Sequence, residues 1–270
     1  GSTVTRSADV ANNSGNADLI NSTEGVLYAE IAALNDGPQQ QIGIYGNSIS
    51  KQIRLEIINS VIRGALFNGA FQAILSSTQT VTDFNKIAFK YKENDFALWV
   101  NGIEVATDSV GLTFPANDLD RFNLTSQNGS SLSAQANVKS VAVFKEALND
   151  YELAELTSLV KLNPFTFTVK TDNSGTSNTD QFTLPLTDNG TVDIVVNWGD
   201  GTSDTITAFD QAEKTHTYPS AGTYEIQIIG TLQGFRFDNT GDKAKMLDIK
   251  KWGIFDINVG SVFRNCLNLT

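Results

Sequence analysis

Histidine and cysteine carry much of the acid-base, nucleophilic and metal-binding chemistry of proteins, and this chain has one of each, His216 and Cys266. A metal site with two histidines on one helix is therefore impossible, and any Ser-His-Asp triad would have to use His216. His216 stands in an alternating segment, residues 215–218, which favours a structural role. Cys266 has no second histidine to act as its base, so a buried packing role is favoured for it as well.

Asp200 and Asp204 form the most suggestive group of metal ligands, in the sequence Asp200-Gly-Thr-Ser-Asp204. Such oxygen ligands suit calcium, but the loop lacks an alternating Asp/Asn run and a glutamate at its twelfth position. Gly-Asp-Gly is also typical of a tight turn. We expect no obligatory cofactor and keep calcium as the open alternative, at this loop or in the first domain.

Side chains that bind sugars are exposed aromatic rings together with groups that hydrogen-bond hydroxyls. The candidates for ligand binding are Tyr45, Arg54, Arg63, Trp99 and Arg121. Apolar neighbours surround Trp99 in the sequence, which favours core packing for that ring. Packing also explains Trp198 and Trp252 in their sequence contexts.

Charge and hydropathy exclude several kinds of partner. The 270 residues have a formal net charge of −11, which disfavours nucleic acid because affinity for it depends on Lys and Arg. No apolar run approaches the roughly 20 residues that cross a bilayer, so we expect no membrane insertion. A single cysteine allows no intramolecular disulfide. Gly1-Ser2 is typical of a cloning remnant and the last residues stop in mid-pattern, so we expect a piece of a longer protein.

Short runs of alternating apolar and polar residues predict an all-β fold. Asn101-Gly102 is typical of a type I′ hairpin turn, and residues 92–95 also predict a turn. The clearest strands of the first half are residues 25–31, 86–91, 96–100 and 103–106.

One helix is predicted over Asp150 to Val160, where Asn149 and Glu152 resemble a capping box before an apolar stripe. Pro164 disfavours helix in the residue before it, so a domain boundary is placed near residue 162. Beyond it, closely spaced short strands predict a small β-sandwich. These strands are residues 165–169, 181–184, 192–196, 215–218 and 222–228.

The segments 18–30, 86–91, 97–102 and 141–156 resemble a laminin-G-like or concanavalin A-like jelly roll, as found in phage tail fibres and bacterial surface proteins. Residues 197–202, 216–218 and 221–226 resemble a PKD-like, immunoglobulin-like sandwich. The segments 247–253 and 263–269 resemble the entry to a BspA-like leucine-rich repeat array. The resemblance implies three parts: a jelly roll at 3–162, a PKD-like domain at 163–230 and a truncated repeat-like region at 231–270.

The resemblance implies a non-enzymatic adhesion, receptor-recognition or structural module of a phage tail fibre or similar virion appendage. Its partners would be a host-cell surface glycan or other virion proteins, and the parent protein would be a homo-oligomer such as a trimer. The alternative is a bacterial cell-surface adhesin or a carbohydrate-binding module of a larger protein, so the expected location is a virion or an extracellular bacterial surface.

A glycan-cleaving enzyme is the third alternative, because similar jelly rolls include laminarinase-like enzymes. Those enzymes carry a Glu-x-Asp-x-x-Glu arrangement, and this chain lacks it. A retaining glycosidase needs two carboxylates about 5 Å apart. The nearest carboxylate groupings, Glu24 with Glu30 and Asp118 with Asp120, are better explained as strand or loop surface. We therefore predict that the chain is not an enzyme.

Overall fold

The computed structural model describes residues 14–37, 39–125, 135–255 and 260–270, and it divides into two compact units. The first unit runs through Leu148 and includes Leu153–Leu159, and the second comprises Asn149–Glu152 and Val160–Thr270. Antiparallel strands build both units, so the predicted all-β class is confirmed. The division into 3–162, 163–230 and 231–270 stays a prediction.

Two five-stranded sheets form the first unit. Its strands are β1 (Glu24–Ala33), β2 (Gln40–Gly46), β3 (Lys51–Ile58), β4 (Val61–Asn68), β5 (Phe71–Thr78), β6 (Asn85–Lys92), β7 (Phe96–Val100), β8 (Ile103–Asp108), β9 (Leu119–Asn123) and β10 (Ala136–Phe144). Sheet A has the strand order β5-β4-β3-β2-β9, and sheet B has the order β10-β1-β6-β7-β8.

The hydrophobic core of the first unit is built from one face of each sheet. Successive side chains of a strand point to opposite faces, so each strand gives alternate residues to the core. Sheet A contributes Ile53 and Leu55 of β3, and sheet B contributes Phe89 of β6 and Leu98 of β7. Phe89 also fills the space beside Gly64, where an added Cβ would lie 2.4 Å from its ring. The residues between these core positions form an outer face on each sheet.

The Asn-Gly hairpin is confirmed. Asn101 and Gly102 both have positive φ, 55° and 89°, and they join β7 to β8 so that Val100 pairs with Ile103. The turn at residues 92–95 is confirmed too, because Asp95 N donates to the Lys92 carbonyl and Asn94 has a φ of 57°.

Helix α1 (Asp150–Thr157) is three residues shorter than predicted. The capping box at its start is confirmed, since Asn149 Oδ1 accepts from Glu152 N at 3.0 Å and Glu152 Oε2 accepts from Asn149 N at 2.9 Å. The predicted end at Val160 is wrong. Val160 is 72% exposed and buries no apolar face that would extend the helix. The helix instead ends at Thr157, whose hydroxyl donates to the Leu153 carbonyl and accepts from Gly102 N.

The second unit has a five-stranded sheet of order β14-β13-β16-β11-β17 and a separate pair, β12 with β15. Its strands are β11 (Phe165–Lys170), β12 (Gln181–Thr183), β13 (Val192–Asn197), β14 (Ser203–Ile206), β15 (Thr215–Thr217), β16 (Thr223–Leu232) and β17 (Met246–Lys251). The alternation predicted from Phe165 holds, because Phe165, Phe167 and Val169 all lie in one core.

Residues after β16 pack into that same core. Phe235, Met246 and Cys266 are buried with the sandwich residues, and β17 pairs antiparallel with β11. A buried ion pair lies beside this core, formed by Asp242 and Lys245, whose charged groups are 4.0 Å apart. No helix in the described ranges is long and apolar enough to cross a membrane.

Candidate functional site

The outer face of sheet A gathers polar and charged side chains from neighbouring strands. Ile53, Leu55 and Ile57 of β3 point into the core, so Gln52, Arg54 and Glu56 lie on the outer face. The register of the sheet then aligns neighbours on that face across β2, β3, β4 and β9. These pairs are Glu56 with Arg63, Glu56 with Gln41, Gln52 with Phe67, Gln52 with Tyr45, and Tyr45 with Arg121.

Glu56 is the centre of a charged cluster on this face. Its side chain has no exposed surface, and its carboxylate lies 2.7 Å from Arg54 Nε and 3.3 Å from Arg63 Nη1. Gln39 Nε2 also donates to Glu56 Oε1 at 2.6 Å. The two guanidinium groups keep partial contact with solvent, with side-chain exposures of 15% for Arg54 and 35% for Arg63. The cluster therefore presents two fixed cations around one buried anion.

An aromatic ring lies next to the cluster. The Arg54 guanidinium carbon is 5.3 Å from the centroid of the Phe71 ring, which is a cation–π arrangement. Phe67 supports Phe71 from the side, with centroids 5.1 Å apart and planes at 72°. Phe71 is 48% exposed, and Ile74 on the same strand is 45% exposed. We call Gln52, Arg54, Glu56, Arg63 and Phe71 the candidate site.

Tyr45 shares this face but is fully buried. Its hydroxyl donates to the Thr125 carbonyl at 2.9 Å and accepts from Gln41 Nε2 at 2.7 Å. Gly43 makes room for the ring, since an added Cβ would lie 2.7 Å from the Tyr45 hydroxyl. Burial raises the pKa of Tyr45 to about 12. The ring offers no face to a sugar, and its hydroxyl instead ties β2 to Thr125, two residues after the end of β9.

Trp99 lies on the outer face of sheet B rather than sheet A, and it is 2% exposed. Leu98 and Val100, its neighbours on β7, point into the core. The structure therefore places Trp99 away from the other four predicted ligand residues and buries it, as its apolar sequence context favoured.

Arg121 reaches the outer face of sheet A on β9, opposite Tyr45. It forms a two-pronged ion pair with Asp120, with Nε–Oδ1 at 2.6 Å and Nη2–Oδ2 at 2.9 Å. The hydrogen bond from Arg121 holds the pKa of Asp120 below its usual value. Of the five predicted ligand residues, Arg54 and Arg63 are brought together, and Arg121 stands at the border of the same face.

Gln52, Glu56 and Phe71 of the candidate site were not predicted from the sequence, although a signal for them exists. Residues 52–57 alternate strictly between polar and apolar types, which is typical of a half-buried strand. Asn68-Gly69 is a second Asn-Gly turn signal, and it places Phe67 and Phe71 on either side of a hairpin.

Asp200 and Asp204, the calcium candidates, both have partners within the second unit. Asp200 Oδ1 accepts from the backbone and hydroxyl of Thr202, and Asp200 Oδ2 lies 2.8 Å from His216 Nε2. Asp204 accepts from the Trp198 indole at 2.7 Å. Within the described residues, no group of three or more His, Cys, Asp or Glu side chains is arranged to hold a metal ion.

His216 and Cys266 occupy packing positions. The His216 ring stacks on Trp198, with centroids 4.8 Å apart and planes at 6°, and Tyr218 packs edge-on against it. Cys266 is buried, and burial raises its pKa to about 11, which keeps the thiol neutral. Neither environment activates a nucleophile.

The carboxylates considered for glycoside hydrolysis each lie beside a cation. The pairs are Glu24 with Lys92 at 3.5 Å, Glu30 with Lys139 at 2.9 Å, Asp118 with Lys51 at 2.8 Å, and Asp120 with Arg121 at 2.6 Å. The hydrogen bond from Arg121 lowers the pKa of Asp120, whereas a general acid needs a raised pKa. All four carboxylates therefore act as members of ion pairs.

A polar recess of about 490 Å³ lies elsewhere in the first unit, between Asp36, Ser60 and residues 78–82. Both oxygens of Asp36 accept hydrogen bonds from Ser60. No aromatic ring is among the residues that line it. The recess therefore lacks the combination of ring and cation found at the candidate site.

Comparison with solved structures finds similar folds at low identity. The CBM40 domain of the Ruminococcus gnavus IT-sialidase, bound to α2,3-sialyllactose, is 18% identical with a TM-score of 0.46, over 57% of this chain and 97% of that chain. A leech intramolecular trans-sialidase is 16% identical with a TM-score of 0.45, over 78% of this chain and 36% of that chain. A pentraxin from Limulus polyphemus is 12% identical with a TM-score of 0.45, over 59% and 80%.

These similarities carry no conclusion about ligand or activity. No protein-family model matches the sequence, and no curated protein matches it.

Proposed function

We propose that the protein is a non-catalytic carbohydrate-recognition module that binds a glycan on the outer face of sheet A. The observation that supports this most directly is the half-exposed Phe71 ring with the Arg54 guanidinium 5.3 Å from its centroid. An aromatic ring can pack against the C–H face of a sugar, and a fixed guanidinium can donate to its hydroxyls. The candidate site offers both groups side by side.

Preorganisation of the site supports the proposal. Glu56 and Gln52 hold Arg54 through the 2.7 Å ion pair and a 2.8 Å hydrogen bond from Arg54 Nη1. Phe67 holds Phe71, and both rings flank one hairpin. Side chains fixed before binding lose less conformational entropy when the ligand arrives.

The non-catalytic part of the proposal is supported by the surroundings of the groups that would do chemistry. Cys266 is neutral, His216 is packed between rings, and the paired carboxylates face cations. Incubation with a polysaccharide panel is expected to release no reducing ends. Release that depends on any of these groups would contradict the non-catalytic role.

We propose a virion appendage such as a tail fibre as the setting, with a bacterial cell-surface adhesin as the alternative. The acidic charge and the single cysteine suit either surface. Immunogold labelling with an antibody to this chain tests the first setting on purified virions and the second on intact bacteria. A trimeric parent protein is part of the virion proposal, and light scattering on the parent protein measures it.

The experiment that tests recognition is a glycan-array and whole-cell binding assay with the 270-residue chain, in the presence and absence of calcium. We expect saturable binding that Phe71→Ala abolishes. Phe209→Ala is the matched control, because Phe209 is 40% exposed but lies in the second unit. Chelation should leave binding unchanged, since Asp200 and Asp204 already have hydrogen-bond partners. Binding that survives Phe71→Ala would contradict the proposed site.

A further inference from the structure

Arginine is concentrated on one face of the first unit. The chain has six arginines, and three of them, Arg54, Arg63 and Arg121, lie on the outer face of sheet A. The protein as a whole has a formal charge of −11, so a face rich in arginine has the opposite sign of charge to the protein as a whole. A local cluster of fixed cations attracts an anionic ligand even when the distant charges are screened.

The candidate site has an unbalanced positive charge. Glu56 supplies one negative charge between the two cations Arg54 and Arg63, which leaves a net charge of +1. Lys51 and Arg121, the other cations of β3 and β9 on this sheet, have their own carboxylates in Asp118 and Asp120. The excess charge therefore lies at Arg54 and Arg63.

The Arg54 and Arg63 side chains keep contact with solvent although each pairs with Glu56. Each carries five N–H groups in a planar fork that matches a carboxylate or a sulfate. The Nε atoms of Arg54 and Arg63 are buried without an aligned hydrogen bond in the described part of the chain, so a ligand does not reach these two donors and instead meets the parts of the two side chains that are 15% and 35% exposed. The 2.7 Å approach of Arg54 Nε to Glu56 is an ion pair that lacks that alignment.

Arg121 provides an internal contrast. Its Nε and Nη2 donate in parallel to the two oxygens of Asp120, so its charge is neutralised and both of these donors are hydrogen-bonded. The hydrogen-bonded ion pair raises the pKa of Arg121 and lowers that of Asp120. Arg121 is therefore expected to contribute little to the binding of an anion.

We infer that the glycan bound at the candidate site carries an anionic group, which Arg54 and Arg63 engage while the sugar ring packs on Phe71. The inference rests on the proposed glycan-binding function and names its ligand class as an acidic saccharide. Two sources share this chemistry, a sugar carboxylate and a sugar sulfate.

The test compares saccharides that differ in one acidic group. Isothermal titration of the 270-residue chain with trigalacturonic acid and with its carboxyl-reduced form isolates the carboxylate. Sialyllactose against lactose repeats this test with a different acidic sugar, and a heparin tetrasaccharide against its desulfated form isolates the sulfate. We expect at least one acidic member to bind about ten- to a hundredfold more tightly than its neutral partner, the range for hydrogen bonds to a charged group.

Substitutions test whether Arg54 and Arg63 cause the preference for the acidic saccharide. Arg54→Gln and Arg63→Gln should each remove most of the preference for the acidic member, and Arg236→Gln should not. Arg236 is the matched control because it is also paired with a carboxylate, Asp238, but lies in the second unit. If either variant unfolds, the salt dependence of saccharide binding by the unmodified protein still tests the inference. Salt should weaken binding of the acidic saccharide by screening and leave binding of the neutral one unchanged.

The outcomes separate the two proposals. Equal binding of acidic and neutral members would overturn the inference and leave the glycan-binding function standing. A failure to bind any saccharide on the array would overturn both. An acidic preference that Arg54→Gln and Arg63→Gln leave intact would also contradict the inference, because the anion would then be bound elsewhere.

Discussion

The carboxylate of Glu56 lies 2.7 Å from Nε of Arg54, and the Glu56 side chain has no exposed surface. Replacement by Glu56→Gln leaves Arg54 and Arg63 facing each other without their shared anion. We expect the free energy of unfolding of the first unit to fall by about 2 kcal/mol. A fully buried pair would lose ~3–5 kcal/mol, and the residual solvent contact of both arginines reduces this cost.

Urea denaturation followed by hydrogen exchange of the β3 and β4 peptides measures that loss in the first unit. Glu225→Gln is its control, because Glu225 pairs with Lys250 at 2.6 Å while both side chains are more than 40% exposed. An exposed pair contributes less than about 1 kcal/mol. Equal effects of the two substitutions would mean that Glu56 is solvated like a surface residue.

Asp242 in the second unit accepts five hydrogen bonds. The donors are Thr176 N, Thr176 Oγ1, Ser177 N, Ser177 Oγ and Thr183 N, at 2.6–3.4 Å. Lys245 donates to the Asn178 and Gln181 carbonyls and to Ser177 Oγ. Because Asp242→Ala leaves the donors to Asp242 without an acceptor and the buried Lys245 ammonium without its counter-charge, we expect a loss of about 3–5 kcal/mol in the stability of the second unit.

A double-mutant cycle measures the interaction between Asp242 and Lys245 separately from the interactions that each makes with other residues. Combining Asp242→Ala with Lys245→Met should cost less than the sum of the two single losses, because each substitution removes the partner that the other would leave unpaired. The measurement is urea denaturation followed by hydrogen exchange of the β11, β12 and β17 peptides. Strict additivity would show that the two charges do not interact across 4.0 Å.

Asp200 gives the second unit a defined dependence on pH. Burial opposes its ionisation, but hydrogen bonds from Thr202 and His216 outweigh burial and lower its pKa. A carboxyl whose pKa is lower in the folded state contributes stability above its unfolded pKa of about 3.9, and that contribution is lost as the pH falls through the folded pKa.

The thermal midpoint of the second unit should therefore decline below about pH 4 in the unmodified protein. Asp200→Asn should be less stable at pH 7 and should show a shallower decline. The check is a set of melting curves between pH 2 and 7 for both proteins. Parallel curves would show that Asp200 titrates alike in the folded and unfolded chains.

Tyr45 lies on the same face as the candidate site, and we expect it to stabilise the fold without binding the glycan. Tyr45→Phe keeps the ring and removes the hydroxyl that bonds to Gln41 and Thr125. We expect a loss of about 1–3 kcal/mol, because a buried amide and a carbonyl lose their partner, and no change in glycan binding. Reduced binding without reduced stability would instead make the Tyr45 hydroxyl part of the ligand site.

Local signals in the sequence predicted much of the fold. The turn at Asn101-Gly102 needs positive φ, and the capping box at Asn149 needs two hydrogen bonds three residues apart, so both depend on nearby residues alone. The end of the helix depends on what it packs against. Sequence spacing placed Val160 on an apolar stripe, but the structure leaves it exposed.

The candidate site was harder to predict because its parts come from separate strands. Arg54 and Arg63 were identified by residue type, but their meeting at Glu56 depends on the register of β3 with β4. Tyr45 and Trp99 are aromatic like Phe71, and only tertiary packing buries the first two and exposes the third. Residue type alone cannot distinguish a core ring from a binding ring.

The most direct test of glycan recognition is binding of the 270-residue chain and of Phe71→Ala, Arg54→Gln and Phe209→Ala to the same glycan array, with melting curves to confirm folding. We predict that the unmodified protein and Phe209→Ala bind the same glycans and that folded Phe71→Ala and Arg54→Gln lose them. Binding by all four proteins alike would contradict a site on the outer face of sheet A.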